Sequence, residues 1–360
     1  MRTETIFEFV KYSIGSIAQF APTEEIDWEE MYGFAKKQTI IGVLFMGIEK
    51  LPKERRPEKK LLMKWYAQTE RIKQKNETIN AEVVTVFDRF RKAGFRGCVL
   101  KGQGMASLYP NPFLRIAGDI DIWIEGSRRE IVDYVNSVCP GQKLRKIHID
   151  FPIFQKTLVE VHFTPSYMFA PWANKHLQRW FKEQAEEQFG HEVELPGGAG
   201  TVCMPTLPFN RIFILSHIYK HLFSEGIGLR QLMDYYYVLR CGFTEEENNY
   251  DRKTLRSLGM YKFAGAVMYV LQRVFGLQDD FCIVEPNKKA GEFLLSEVLQ
   301  SGNFGHNDER YVVPENESVA HRYFRLSHRS LHLITKYPTE ALSEPLVRTW
   351  FFFWRFLNKN

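Results

Sequence analysis

The sequence predicts an α+β protein in which a mixed sheet with flanking helices sits between a helical amino-terminal region and a helical carboxy-terminal one. Three observations carry that expectation. Short apolar runs with strand-like alternation are confined to the middle of the chain, within residues 97–205. On both sides, apolar residues recur at helical spacing. At 360 residues the chain exceeds one typical domain, so two or three structural units are expected. The boundaries read as 1–90, 91–205 and 206–360.

In the first region, Phe7 to Ile17 has helical spacing. Pro22-Thr23 precedes an acidic pair, Glu24-Glu25, which reads as a helix start. Trp28 to Lys50 continues as helix, and Pro52 and Pro57 mark a linker. Lys59 to Gly94 is one long charged pattern, a single helix or two. Its stripe comprises Leu62, Trp65, Ile72, Ile79, Val83, Val84, Phe87 and Phe90. The charges from Glu70 to Asn76 read as a solvated face rather than a nucleic-acid contact.

In the middle, Cys98 to Leu100 is a short strand, followed by a glycine turn and a helix ending near Pro110. Ile116 to Ile124 is a second strand and Arg128 to Val138 a helix. Leu144 to Phe154 and Thr157 to Phe163 read as a hairpin around Gln155-Lys156. After a helix over Ala170 to Phe189, the glycines of 196–200 mark another hairpin.

From Pro205 onward the pattern is helical: Phe209 to Phe223, Leu229 to Leu239, two helices within Thr244 to Gly276, then Ala290 to Leu299. A polar loop from Gly302 leads to His321–Tyr337 and Glu344–Leu357. The aromatic tail from Trp350 reads as core packing or a dimer contact. Arg348 and Arg355 are too few basic residues for a membrane-surface helix.

Composition narrows the function classes. A formal charge of +5 permits a polyanionic partner without demanding one. Five cysteines, an odd number without a CxxC pair, argue against a disulfide framework or cysteine zinc site and suit a reducing cytoplasm. The amino terminus lacks a signal-like apolar run, and no stretch is apolar enough to cross a membrane, so a cytoplasmic location is expected.

The chemistry concentrates in residues 97–125. In a strand, residues two apart share a face, so Asp119 and Asp121 project together while Ile120, Ile122 and Ile124 pack behind. Adjacent carboxylates repel unless a cation joins them, and Mg²⁺ or Mn²⁺ takes such oxygen ligands. Lys101-Gly102-Gln103-Gly104 lies between a strand and a helix, where free backbone N–H groups favour phosphate. Glu160 supplies a third carboxylate if its strand adjoins the aspartate strand, with Asp150 as a rival. His162 shares a face with Glu160, and His148 with Asp150.

These residues carry a resemblance. Leu100-Lys101-Gly102, Leu108-Tyr109-Pro110, Arg115, Gly118-Asp119-Ile120-Asp121 and Val159-Glu160-Val161-His162 are similar to the signature of an uncharacterised bacterial nucleotidyltransferase family of the DNA-polymerase-β-like superfamily. The close match covers roughly residues 95–165, with weaker similarity to about 240. The resemblance implies a polymerase-β-like core and metal-dependent transfer of a nucleoside monophosphate from an NTP, ATP foremost, to an acceptor hydroxyl. Asp119, Asp121 and Glu160 would be the metal ligands and catalytic residues. Lys101, Gly102, Gln103, Gly104 and Arg115 would serve the nucleotide, Arg115 either on the phosphates or buttressing the aspartates. Gln103 departs from the small hydroxyl residue common at this turn.

A small molecule or protein is the expected acceptor, with RNA ranked last because no RNA-recognition motif is present and the charge excess is weak. His162, His217 and His221 are candidate substrate contacts, against structural roles for each; His217 and His221 also have zinc-ligand spacing but lack the hydrolase glutamate. Arg230 and Asp234 read as a helix salt bridge. The competing classes are a non-catalytic nucleotide-binding or regulatory module and a phosphohydrolase, the latter disfavoured because the carboxylates lie on strands.

Overall fold

The computed structural model describes residues 1–305, 308–311 and 316–357. Four helices lead in: α1 (Thr3–Ile14), α2 (Trp28–Lys37), α3 (Ile41–Lys50) and α4 (Lys59–Lys92). The helical stretch Trp28–Lys50 divides into two helices where Thr39 takes a φ of 55°. The acidic pair Glu24-Glu25 precedes α2 without starting it. Asp27 caps that helix instead, its carboxylate accepting from Glu30 N–H. The long charged pattern is a single helix, and its stripe from Trp65 to Phe90 is buried apart from Val84.

The middle of the chain comprises β1 (Gly97–Leu100), α5 (Gly102–Ala106), β2 (Ile120–Ile124), α6 (Arg128–Val138), β3 (His148–Asp150), β4 (Val159–His162), α7 (Pro171–Gly190), β5 (Glu192–Glu194) and β6 (Thr201–Cys203). The main sheet has the order β1-β2-β4-β3, with β2 and β4 parallel and both outer pairs antiparallel. It is thus a mixed sheet, and with the surrounding helices it makes the protein α+β. β5 and β6 form the separate hairpin. β3 and β4 pair as expected but are joined by the loop 151–158 rather than a tight turn.

β2 begins at Ile120, four residues later than Ile116. The physical cause is visible: Arg230 donates to the Ile116 carbonyl (2.8 Å) and Lys75 to the Ala117 carbonyl (3.2 Å). Side chains thus hold the carbonyls that a longer ladder would use. The sheet has two distinct faces. Ile120, Ile122, Ile124, Val159, Val161 and Ile149 pack against Ile79, Val83 and Phe87 of α4 and Ile131 of α6. The opposite face carries the polar residues.

Seven α-helices follow among the described residues: α8 (Leu207–Ser224), α9 (Leu229–Arg240), α10 (Glu245–Ser257), α11 (Tyr261–Phe275), α12 (Lys288–Ser301), α13 (Val319–Leu333) and α14 (Pro338–Leu357). One continuous core joins them to the amino-terminal helices, with Phe7, Phe9 and Val10 in the same cluster as Phe213, Tyr235 and Val270. Among the described rings of the aromatic tail, Trp350 and Phe353 are not in the core, at 59% and 57% exposed. His306 and Asn307 of the polar loop, and the Arg355 side chain, lie outside the described residues.

α14 is anchored by Glu340, whose buried carboxyl accepts from the backbone N–H groups of Phe169 (2.8 Å) and Ala170 (3.2 Å). Burial pushes this carboxyl up to about 7 from 4.5. Between those pH values the folded chain holds a proton that the unfolded chain has released. Stability therefore falls as pH rises from 4.5 through about 7, by on the order of 3 kcal/mol. Urea unfolding across that interval should show the decline, and Glu340→Gln should flatten it.

Candidate active site

The site is built by register. Asp121 of β2 stands opposite Glu160 of β4, which stands opposite Asp150 of β3. One step along, Trp123, His162 and His148 make a parallel row. Since alternate residues share a face, both rows lie on the polar side of the sheet. Asp119 sits just before β2, exposed, while Asp121 is only 3% exposed. Carboxylate oxygens of Asp119, Asp121 and Glu160 lie within 4.8 Å of one another.

Lys101 follows β1 with a left-handed φ of 49° and begins α5. Its ammonium reaches Asp121 Oδ1 at 3.0 Å. Gly102 has a φ of 40°, and a Cβ there would lie 3.8 Å from the Asp119 carbonyl oxygen, so the turn rides directly over the first aspartate. His162 Nε2 is 2.8 Å from Asp121 Oδ1 and 3.4 Å from Glu160 Oε2. His148 Nδ1 is 3.2 Å from Glu160 Oε2, and its Nε2 is 3.5 Å from Asp150.

The charges are strongly coupled. Burial disfavours the Asp121 carboxylate, but Lys101 and the His162 hydrogen bond override it and hold the group well below the usual carboxylate range. Asp119 is pushed up, chiefly by the neighbouring Asp121 charge. Glu160 is held down against burial by His162. His162 is raised, its bonds to Asp121 and Glu160 outweighing burial. Burial drops His148 to about 4. A set of anions whose balance rests on one lysine and one histidine is chemically suited to divalent cations, and the oxygen donors of Asp119, Asp121 and Glu160 fit Mg²⁺ or Mn²⁺.

Other sequence candidates lie elsewhere. The Gln103 side chain turns away from the phosphate turn and into α4, donating to Asn80 Oδ1 and to Asn76 Oδ1 (3.3 Å). Asn76 in turn donates to the carbonyls of Phe113 and Arg115, both at 2.8 Å. The two asparagines thus carry the turn, a role hidden in a helix whose apolar stripe was the legible part. Arg115 is not aimed at the turn: its Nε and Nη2 lie on Asp234, at 2.7 and 2.8 Å, and its Nη1 on the Ile116 carbonyl at 3.5 Å. Asp234 therefore pairs with Arg115 rather than with Arg230. Gly104 backs onto Met204 and lines a cavity of 360 Å³ with Lys101, His191, Thr206 and Asn210.

From the helices above, His217 Nε2 comes within 3.5 Å of Lys101 Nζ, and its buried Nδ1 has no hydrogen-bond partner. Burial and the Lys101 charge push His217 well below its ordinary range. His221 instead bonds Glu225 (2.9 Å). Among the described residues, no triad of metal-ligating side chains includes either. Lys220, between them, is lowered to about 8 by burial and by Lys101. Arg230 is buried, and its guanidinium nitrogen lies 4.0 Å from where a Cβ on Gly118 would stand. Spacing alone pointed Arg230 at Asp234, which concealed it as a cation beside the aspartate loop.

The family described as an uncharacterised nucleotidyltransferase matches residues 24–276, and the chain belongs to that family. Among solved structures, the chain is similar to the crystal structure of an antigenic nucleotidyltransferase-like protein from Paracoccidioides brasiliensis, at 12% identity and a TM-score of 0.35, covering 60% of this chain and 96% of that one. No curated protein sequence is matched.

Proposed function

We propose that this nucleotidyltransferase moves a nucleoside monophosphate from an NTP, ATP foremost, to the hydroxyl of a small molecule or protein and releases pyrophosphate. The observation that carries the reading is the convergence of Asp119, Asp121 and Glu160 beneath the strained Lys101-Gly102 turn. The carboxylates would hold Mg²⁺ or Mn²⁺. A bound divalent ion there would neutralise the triphosphate and acidify the acceptor hydroxyl. Glu160, kept ionised by His162, can accept that proton. The backbone of Gly102 and Gly104 can approach phosphate closely, and Lys101 adds a point charge. Catalysis in such a site is mostly positioning and charge compensation.

No described helix is long and apolar enough to cross a membrane. The odd set of free cysteines supports a reducing cytoplasm. One observation favours a second reading, a nucleotide-binding module without catalysis: the Lys101 ammonium already supplies a cation to Asp121. Incubating the protein with each NTP, Mg²⁺ and cell extract separates the two. Transfer gives a nucleotide adduct by mass spectrometry and stoichiometric pyrophosphate. Metal-independent binding without pyrophosphate leaves only the module.

A further inference from the structure

We propose that His148, Glu160 and His162 form a second cation site beside the carboxylate triad, one that takes Mn²⁺ or a later first-row divalent ion through imidazole nitrogen. Its place in nucleotidyl transfer rests on the reading above; the binding itself does not.

The donor atoms have suitable spacing. His148 Nδ1 and His162 Nε2 lie 3.2 and 3.4 Å from the same Glu160 oxygen, and all three donors fall within 4.8 Å of one another. Ligands around one six-coordinate ion with bonds near 2.1 Å stand about 3 Å apart along each edge. The ring orientations agree. His162 Nδ1 faces the Thr164 carbonyl oxygen at 3.3 Å, where only an N–H is satisfied. That leaves Nε2 of the neutral ring presenting a lone pair toward Asp121 and Glu160. A proton or a metal ion must lie there, and loading the metal would release the proton to solvent.

His148 repeats the pattern. Both its nitrogens face carboxylates, Nε2 toward Asp150 at 3.5 Å and Nδ1 toward Glu160. If Asp150 accepts the Nε2 proton, the lone pair on Nδ1 turns inward. A carboxylate or carbonyl orienting the far nitrogen is how proteins fix metal-bound histidine. Both rings sit on paired strands, so their separation is set by register rather than by a loop. Two nitrogens and one oxygen make a softer set than the three oxygens next to it, which disfavours Mg²⁺ and gives an affinity that rises from Mn²⁺ to Co²⁺ and Zn²⁺, so that Mn²⁺ is the weakest-held ion that still reports the site.

The test is pulsed EPR on the full chain titrated with MnCl₂ in the absence of nucleotide. The expected spectrum carries ¹⁴N couplings to bound Mn²⁺. Labelling with ¹⁵N-histidine should convert them to ¹⁵N couplings without any change of sequence, so the result does not depend on a variant folding. In the double variant His148→Ala/His162→Ala, couplings should vanish and Mn²⁺ affinity should fall by at least about tenfold. Bound Mn²⁺ without nitrogen coupling, couplings insensitive to the label, or no Mn²⁺ binding would each overturn the proposal. Pyrophosphate release with Mg²⁺ alone, measured on the unaltered chain, tests nucleotidyl transfer separately.

Discussion

Asp121→Asn should lower nucleotidyl transfer by about a hundred- to a thousandfold, the scale on which removing a group that stabilises transition-state charge acts. The substitution keeps the shape and removes the charge. Asp121 is the member that touches everything: Lys101 at 3.0 Å, His162 at 2.8 Å, and the Asp119 and Glu160 oxygens within 4.8 Å. Losing its charge weakens any ion held between the carboxylates and leaves Lys101 without its partner. The readout is kcat for pyrophosphate release. Lys101→Met/Asp121→Asn serves as a control for folding, since it removes the orphaned cation as well. A single variant retaining transfer within tenfold of the parent would separate Asp121 from the chemistry.

Arg115→Met should destabilise the fold by about 3–5 kcal/mol, because it strands a buried carboxylate. Arg115 and Asp234 are 5% and 6% exposed, and their two-pronged bond is joined by the Tyr109 hydroxyl donating to Asp234 at 2.7 Å. Asp234→Leu should cost a similar amount by stranding the guanidinium. The double variant Arg115→Met/Asp234→Leu should cost less than either single change, since no unpaired charge remains. Urea denaturation of the four proteins measures this directly. Additive losses would mean that the two side chains are energetically independent despite their contact.

Much of the site was legible because strand periodicity is rigid. Alternation paired Asp119 with Asp121 and Glu160 with His162 on their own strands, and the observed register puts Asp121 opposite Glu160. What alternation could not reveal was which strand neighbours which, or that Ile116 to Asp119 would be held off the ladder by Lys75 and Arg230. Long-range partners were likewise hidden. Arg115 and Asp234 are 119 residues apart, and nothing local distinguishes that pairing from an Arg230–Asp234 helix pair. The run from Glu70 to Asn76 read as a solvated face, whereas its last member Asn76 is buried, with Asn80, beside the glycine turn. Of the two readings of the aromatic tail, core packing does not hold for Trp350, Phe352 and Phe353, which face outward on α14.

The core shared by the first and later helices sets an order of events during synthesis. Ser16, just beyond α1, bonds Tyr236 of α9 at a separation of 220 residues. A ribosome adding about 5–20 residues per second delivers that tyrosine roughly ten to forty seconds after the serine. Through that interval Phe7, Phe9 and Val10 have no α11 to cover them, so the nascent chain presents a greasy amino-terminal hairpin to whatever chaperone stands at the exit tunnel.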